Sequence, residues 1–418
     1  MSKSCNGVVT VEMKQKNTIL NRKHHFPSKN NIYSGIFEKV KYELPIFILL
    51  FLLFIPKRSD LAHNDVYITT LIFDYRIGFA PRLFIGSVMS LFTDYKSVHF
   101  MNIFMDVFCV ASLVLFAVAA GRTIRKVGDK AKEIPIFFII LFIAVPYSRA
   151  ALFPGPIVSL DRFLVIFTFL ALIAINKPVV KWFVPILIFM GLATYQGFAF
   201  TYMPAIVILL IYEISRNKKS RESIALCVVS FVAMAVFSAY FFLYHGIGSF
   251  KNVDELLSYA ASKTDLRSNL TVFNMREILN AYFFIKPTNF FSNYIVTAGW
   301  EGLKSEILGI IYLIPFFAIF FVIWKNSIKN ATDKTEKFIY ILCVLAPFAR
   351  LPMFLFSTNF MRGRASVVII QFFLVLYFLY IGNKTVAESA KQVVAFFRRH
   401  FLLFILLVVY FIGFVKLQ

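Results

Sequence analysis

Charged residues are scarce in this chain: they make up 16% of its 418 residues, against about 25% in soluble globular domains. Hydrophobic residues reach 59%, and they come in blocks of roughly 14 to 22 residues, which is the length of a membrane span. These two features exclude an ordinary soluble domain. They predict an all-α fold, a polytopic bundle of transmembrane helices.

Acidic residues are fewer still, with 22 Asp and Glu against 44 Lys and Arg and a net charge of +22. In a soluble protein such an excess would suggest nucleic-acid binding. In an apolar chain, Lys and Arg instead mark cytoplasmic loops and face anionic lipid headgroups. We therefore expect membrane lipids as partners, and we do not expect nucleic acid.

Cysteine is rare and several catalytic motifs are missing. The four cysteines form no CxxC pair, and Cys109, Cys227 and Cys343 lie inside apolar runs, so we expect buried thiols without a disulfide framework or a zinc site. The sequence contains no Gly-rich phosphate loop, HExxH motif, nucleophile elbow or dinucleotide fingerprint. This argues against nucleotide-driven pumping and hydride chemistry within this chain.

The apolar blocks predict about eleven membrane spans. The first begins near Leu44, after a basic leader over residues 1–43 with eight Lys and Arg, and we expect it to be an uncleaved anchor. The membrane domain covers 44–382, and an amphipathic cytoplasmic segment with a final span covers 383–418. The predicted spans are 44–56, 98–120, 134–147, 161–175, 182–196, 198–213, 224–244, 306–324, 338–356, 365–381 and 401–415.

The distribution of Lys and Arg predicts the orientation. With the N-terminus inside, six cytoplasmic segments hold 27 of the 44 Lys and Arg, as the positive-inside rule requires. We therefore expect a multi-pass protein of the bacterial cytoplasmic (inner) membrane. Two long loops, 57–97 and 245–305, would lie outside, and the amphipathic stretches Val253–Ala261 and Met275–Phe284 in the second could form interfacial helices.

The first outer loop carries the most informative polar residues. Asp65 and Asp74 could act as a general base towards a hydroxyl acceptor, while Arg76 and Arg82 could bind a phosphate. The sequence around Gly78 and Pro81 suggests a turn that aims these arginines. The alternative is that solvated charges simply cap a loop. His63, with Asp60 and Asp65, could bind a divalent metal ion, although no metal site is otherwise indicated.

Further charged residues lie at the predicted outer ends of later spans. Asp161 and Arg162 could form a helix-capping ion pair or reach a phosphate or sugar, and Arg149 has the same two interpretations. Arg362 and Arg364 flank a glycine in the short outer loop expected between spans 338–356 and 365–381, and they could grip a phosphate or snorkel towards headgroups. Two charged residues fall within spans, where charge is costly and suggests function; they are Asp106 and Arg350.

The layout resembles the GT-C superfamily of membrane glycosyltransferases over residues 44–320. Those enzymes have a long first outer loop with an acidic residue after span one, here His63-Asn64-Asp65 and Asp74-Tyr75-Arg76, and a second long outer loop after span seven. The segment from Phe73 to Gly86 also looks like a motif in bacterial membrane proteins associated with surface polysaccharides.

The resemblance implies a reaction and roles for the site residues. A hexose or pentose would move from a polyprenyl-phosphate-linked donor to a glycan or lipid acceptor at the outer face. Asp65 or Asp74 would take the acceptor's proton. The leaving phosphate would be bound by arginines, and other polar residues would contact the substrate. The phosphate-binding set is Arg76, Arg82, Arg362 and Arg364, and the substrate-binding set is His63, Tyr75, Arg149, Asp161 and Arg162.

Two other functions fit parts of the same pattern. A polymerase of O-antigen or capsule type would also use a lipid-linked donor and outer-loop arginines. A flippase or transporter of a lipid-linked or anionic solute would need paired intramembrane charges and broken helices, which Asp106 and Arg350 suit. A non-catalytic scaffold in a polysaccharide assembly is a further alternative.

Overall fold

The computed structural model describes residues 40–54, 69–148, 160–217, 220–243, 250, 252–267, 270–283, 299–352 and 360–413. Over these residues all regular secondary structure is helical and there is no strand. The predicted all-α class is thereby confirmed.

The described residues form the following helices. Three short 3-10 helices, Tyr75–Ile77, Val180–Phe183 and Ala346–Arg350, lie between α-helices. The α-helices are α1 (Glu43–Phe54), α2 (Phe84–Ser90), α3 (Val98–Val127), α4 (Glu133–Ala144), α5 (Asp161–Ile175), α6 (Val184–Thr194), α7 (Phe198–Thr201), α8 (Met203–Arg216), α9 (Arg221–Leu243), α10 (Val253–Lys263), α11 (Val272–Phe283), α12 (Gly299–Tyr312), α13 (Ile314–Lys329), α14 (Lys334–Leu345), α15 (Phe360–Tyr380), α16 (Lys384–Arg399) and α17 (Phe401–Gly413).

At least three described helices are long and apolar enough to cross a membrane: Val98–Val127, Arg221–Phe242 and Arg362–Tyr380. Each of the eleven predicted spans overlaps a helix. Many of these helices are short, however: the 12 residues of α4 extend about 18 Å at 1.5 Å per residue, against a hydrocarbon core of about 30 Å. The number of crossings stays a prediction.

Helix α15 forms the centre of the bundle. Its sequence is apolar on all sides, which is typical of a helix with no solvent-facing side, and nearly all of it is buried. Gln371 lies in its middle, where the indole Nε1 of Trp324 donates to Gln371 Oε1 at 2.6 Å and Gln371 Nε2 donates to the Cys343 carbonyl at 2.9 Å. Because both amide atoms are bonded, this buried polar group is accommodated at little cost.

The predicted second outer loop contains helices where its amphipathic stretches predicted them, as α10 and α11. We keep the names first and second outer loop for residues 57–97 and 245–305, whose position outside stays a prediction. Their apolar sides pack inward, with Leu256, Ala260, Met275 and Ile278 buried. Their expected position in the membrane interface stays a prediction. What the structure adds is that this loop packs against the first outer loop.

Candidate functional site

Among the carboxylates of the first outer loop that the structure describes, Asp74 has the most hydrogen bonds. It is 2% exposed, and it accepts from Arg76 Nε at 2.9 Å, Arg76 Nη2 at 2.6 Å and Ser90 Oγ at 2.7 Å. It also caps the 3-10 helix by accepting from the Arg76 backbone N–H at 3.0 Å. Arg76 Nη1 also donates to Oδ1 of the exposed Asp94 at 2.5 Å. Asp74 thus holds the loop around it in one conformation.

Lys96 completes this arrangement from the end of the loop. Its side chain is wholly buried, and Nζ donates to the Ile72 carbonyl at 2.6 Å and lies 3.3 Å from Asp74 Oδ2. Burial lowers the pKa of Lys96 to about 8, against the opposing attraction of Asp74. Burial alone would raise the pKa of Asp74, but the hydrogen bonds from Arg76 and Ser90 and the charge of Lys96 hold it well below its usual range. Such a carboxylate is a weak proton acceptor.

The two outer loops are joined at Lys96. The Lys96 N–H donates to the Lys263 carbonyl at 2.7 Å, and Thr264 Oγ1 donates to the Lys96 carbonyl at 2.6 Å. The next residue but one, Val98, donates its N–H to Asp265 Oδ1 at 2.7 Å. Segments that lie 168 residues apart in the sequence therefore form one structural unit at this end of the bundle.

Arg82 leaves the first outer loop in a different direction from Arg76. It has a φ of 71°, a region that residues other than glycine seldom adopt. Its N–H donates to the Ala193 carbonyl at 2.8 Å, at the end of α6. Its Nε donates to Gln196 Oε1 at 3.3 Å, and its guanidinium lies 5.3 Å from the ring centre of Tyr195. These contacts hold Arg82 against the break between α6 and α7.

Tyr195 brings a second arginine to the same place. The Arg362 guanidinium lies 4.2 Å from the Tyr195 ring centre, a cation–π distance. Arg362 also donates to both oxygens of Asp161, from Nε at 2.5 Å and from Nη2 at 3.1 Å. Asp161 and Arg362 are 2% and 6% exposed, so this is a buried bidentate ion pair between the first turns of α5 and α15.

Two further buried arginines lie beside Arg362. Arg350 ends the 3-10 helix after α14, and its guanidinium occupies the space that a β-carbon on Gly363 would fill. Arg364 occupies the equivalent space at Gly309 on α12, and its guanidinium lies 5.0 Å from the Tyr147 ring centre. We call Arg82, Arg350, Arg362 and Arg364, with Asp161 and Tyr195, the arginine cluster.

An apolar cavity of about 320 Å³ begins at the arginine cluster. It lies between α12, α13, α14 and α15, and Arg350 and Arg364 are the charged residues in its lining. Gln371 also lines it, seven residues beyond Arg364 on α15 and so about 10 Å away along the helix. The remaining lining is mostly apolar, and three of its residues are more than half exposed, so the cavity opens on the side of the bundle; these residues are Phe321, Phe348 and Leu351.

Arg162 is buried at the same end of the bundle but faces α3. It is 3% exposed, and its Nη1 donates to the Met105 carbonyl at 3.4 Å. Its charge also acts on Cys109, as does that of Asp106. Asp106 is therefore close to the buried cation of Arg162. This favours pairing with an arginine over an ion path for Asp106.

Apart from Arg162, the predicted site residues form two groups in the described structure. Asp74, Tyr75 and Arg76 belong to the outer-loop network, in which the Tyr75 N–H donates to Ser87 Oγ at 2.9 Å. The other group, the arginine cluster, contains Arg82, Asp161, Arg362 and Arg364. Arg362 and Arg364 were expected in a loop before the span, but they lie on α15 itself. The expected turn at Gly78 and Pro81 exists, but it separates Arg76 from Arg82.

Three predicted residues, His63, Asp65 and Arg149, lie outside the described residues, as does Asp60 of the suggested metal site. Within the part of the chain that the structure describes, no three His, Cys, Asp or Glu side chains are grouped as a metal ion would need. The metal site therefore stays untested, and so do the catalytic roles assigned to Asp65 and Asp74.

Sequence reasoning missed several members of these groups. Lys96 gave no signal, because a single lysine before a predicted span is expected to face water or headgroups. Tyr195 and Gln196 lie at the end of the predicted span 182–196, directly before the span 198–213, but they carry no charge. Tyr202 is fully buried, and its hydroxyl has no hydrogen-bond partner among the described residues. The charges of Asp161, Arg362 and Arg350 act on this hydroxyl.

Comparison with known proteins returned no relative. No protein-family model, no curated protein and no solved structure matches this chain. Its function must therefore be argued from the site itself.

Proposed function

We propose that this protein is a membrane glycosyltransferase that moves a sugar from a polyprenyl-phosphate-linked donor to a glycan or lipid acceptor. The cavity beside α15 is the observation that carries the proposal. A lipid phosphate needs an apolar groove for its chain and cations for its headgroup. The cavity offers both, with Arg350 and Arg364 at one end and an opening towards the surrounding lipid.

The burial of the arginines supports a phosphate as ligand. An arginine at membrane depth is costly and is retained mainly where it serves a function. The guanidinium group matches phosphate oxygens in a bidentate way, which lysine does not. Gly363 and Gly309 leave room for Arg350 and Arg364 to lie flat against α15 and α12, so the two cations are held in position before a ligand arrives.

In the proposed reaction an acceptor hydroxyl oxygen attacks the anomeric carbon of the donor sugar. The bond between that carbon and the phosphate oxygen breaks, and the electron pair leaves with the lipid phosphate. Arg350 and Arg364 stabilise the charge that grows on the phosphate, and the apolar groove orients the donor by holding its chain. The transition state resembles the oxocarbenium ion of glycoside hydrolysis.

The proton of the acceptor goes to a carboxylate, for which we retain Asp65. Asp74 is less suited, since its oxygens already accept from Arg76 and Ser90 and its pKa is held low. We assign Asp74 the positioning of the first outer loop, which carries Asp65 on one side and Arg82 on the other. We assign the reaction to the outer face of the bacterial inner membrane, on the basis of the charge distribution of the loops.

The first test is binding of undecaprenyl phosphate to the protein in lipid nanodiscs. We expect Arg350→Gln and Arg364→Gln each to weaken binding about tenfold, the value of one charge-assisted contact. Arg276→Gln, which changes an exposed arginine on α11, should leave binding unchanged. Sugar transfer from lipid-linked sugars extracted from the source cells should fall in the same order. Equal binding by all variants would contradict the proposal.

A flippase for the same class of lipid is the second candidate. The observation that favours it is the buried pair of Asp161 and Arg362 beside the break at Tyr195, since transporters combine intramembrane charges with broken helices. Movement of a fluorescent prenyl phosphate across vesicles, without sugar transfer, would identify this activity. Transfer without such movement would support the glycosyltransferase.

A further inference from the structure

A second apolar cavity is lined by residues of α13, α16 and α17. Helices α16 and α17 meet at 99°. Together with α13 they line a cavity of about 470 Å³, which lies within the range of roughly 300–1,000 Å³ for small-ligand sites. The lining from α13 is Pro315, Ala318, Ile319 and Val322, and the one polar lining residue is Gln392.

The shape of this cavity suits an extended hydrocarbon chain. Its lining follows α13 from Pro315 to Val322 and α17 from Leu403 to Leu407, so it runs along two apolar helices. Several lining residues are open to the surroundings: Val322 is 42% exposed, and Phe396 is 49% exposed. A lipid chain can therefore enter from the side.

Polar and basic residues surround one end of the cavity. Gln392 accepts from Asn326 Nδ2 at 3.0 Å, and Lys325 and Lys329 lie on the same last turns of α13. Arg399 and His400 lie at the bend, where the His400 ring is 4.8 Å from the ring of Phe396, a lining residue.

Acidic residues near this end are fewer than the basic ones. Glu388 pairs with Lys391 at 3.6 Å, and Glu133 pairs with Arg398 at 3.4 Å. Lys325, Lys329 and Arg399 add positive charge on exposed surface beside the cavity. The end of the cavity is therefore complementary to an anion.

We propose that this cavity binds one acyl chain of an anionic phospholipid, with the lipid phosphate on the basic residues at the bend. A neutral lipid would fill the cavity without using the positive charge, and a soluble anion would not need the apolar space. This inference does not depend on the proposed glycosyl transfer.

Native mass spectrometry tests the proposal on the whole protein. The protein is taken from nanodiscs that contain equal amounts of phosphatidylglycerol and phosphatidylcholine, and the lipids that remain bound are counted. We expect one retained phosphatidylglycerol in excess over phosphatidylcholine. Lys325→Gln and Arg399→Gln should each reduce that excess about fivefold, because each removes one basic residue beside the lipid phosphate at the end of the cavity. Lys177→Gln, an exposed lysine on another linker at this end of the bundle, is the matched control and should have no effect.

A cavity-filling variant tests the position of the chain. Val322→Trp places an indole in the cavity from a half-exposed position, and Leu407→Trp does so from α17; either should remove the retained phosphatidylglycerol while the protein still elutes as one species. Equal retention of both lipids would overturn the proposal. So would loss in Lys177→Gln as large as in Lys325→Gln, or undiminished retention in both tryptophan variants.

Discussion

The guanidinium of Arg350 lies against the α-carbon of Gly363, in the space that the side chain of any other residue would need. This contact places a buried cation between Arg362 and Arg364 at the start of α15, although Arg350 belongs to a different helix. The glycine between two arginines is therefore a packing requirement of the cluster. The contact also links the cavity beside α15, which Arg350 lines, to the ion pair of Arg362 and Asp161.

Gly363→Ala should destabilise the protein, because the added methyl group displaces Arg350 from its position. Overpacking of this kind costs about 1–3 kcal/mol, and we expect a lower midpoint of thermal unfolding in detergent. Gly413→Ala is the control, since a β-carbon there meets nothing within 4 Å. If Gly363→Ala unfolds at the same temperature as Gly413→Ala, Arg350 does not pack against Gly363 in the folded protein.

Asp161→Asn should be more damaging than the loss of a surface pair. The change leaves Arg362 buried without its carboxylate, and breaking a buried pair on one side costs about 3–5 kcal/mol. The double variant Asp161→Leu with Arg362→Met should regain much of that stability, because neither charge is then buried. Glu388→Gln, in the exposed pair with Lys391, should change the unfolding midpoint little. A double variant no more stable than Asp161→Asn would show that the two residues are not coupled.

Asp74 should make the stability of the outer loop depend on pH. The folded protein holds the pKa of Asp74 below that of an unfolded chain, which is about 3.9. Its contribution to stability is therefore complete above that value and is lost as the pH falls through it towards the folded pKa. Unfolding midpoints between pH 7 and pH 3 should fall less steeply in Asp74→Asn, from a lower starting value.

The exposed Asp94 provides the control for this pH dependence. It is bonded to Arg76 as Asp74 is, but its side chain is 72% exposed, so solvent screens the interaction. Asp94→Asn should follow the wild-type profile closely. A profile of Asp74→Asn parallel to that of the wild type would contradict the role assigned to Asp74.

Thr264→Val should loosen the junction of the two outer loops. The change keeps the shape of a fully buried side chain but removes the hydrogen bond to the Lys96 carbonyl, at a cost of about 1–2 kcal/mol. Hydrogen exchange at the Lys96 and Val98 amides should become faster, while the centre of α15 stays protected. Ser262→Ala, which removes an exposed hydroxyl bonded within α10, should exchange as the wild type does. Unchanged exchange in Thr264→Val would mean that the loops are held together elsewhere.

Much of the helical layout could be predicted from the order of the residues. The apolar runs marked the helices, and the amphipathic stretches at Val253 and Met275 marked two more in the second outer loop, because apolar spacing follows the helical repeat. Arg350 could be singled out as well, since charge at membrane depth is costly wherever it occurs. The membrane itself is supported by three long apolar helices, while the eleven crossings and the orientation stay predictions.

Which charged side chains bond to each other, by contrast, was decided only by the tertiary structure. Asp74 and Arg76 looked like a base and a phosphate ligand, yet they bond to each other, and Asp74 also accepts from Ser90. Arg82 stands six residues from Arg76 but joins Arg362 across Tyr195. Local sequence records how costly a buried charge is, but the partner that offsets this cost comes from a distant segment, and only the folding of the chain brings the two within a few ångströms.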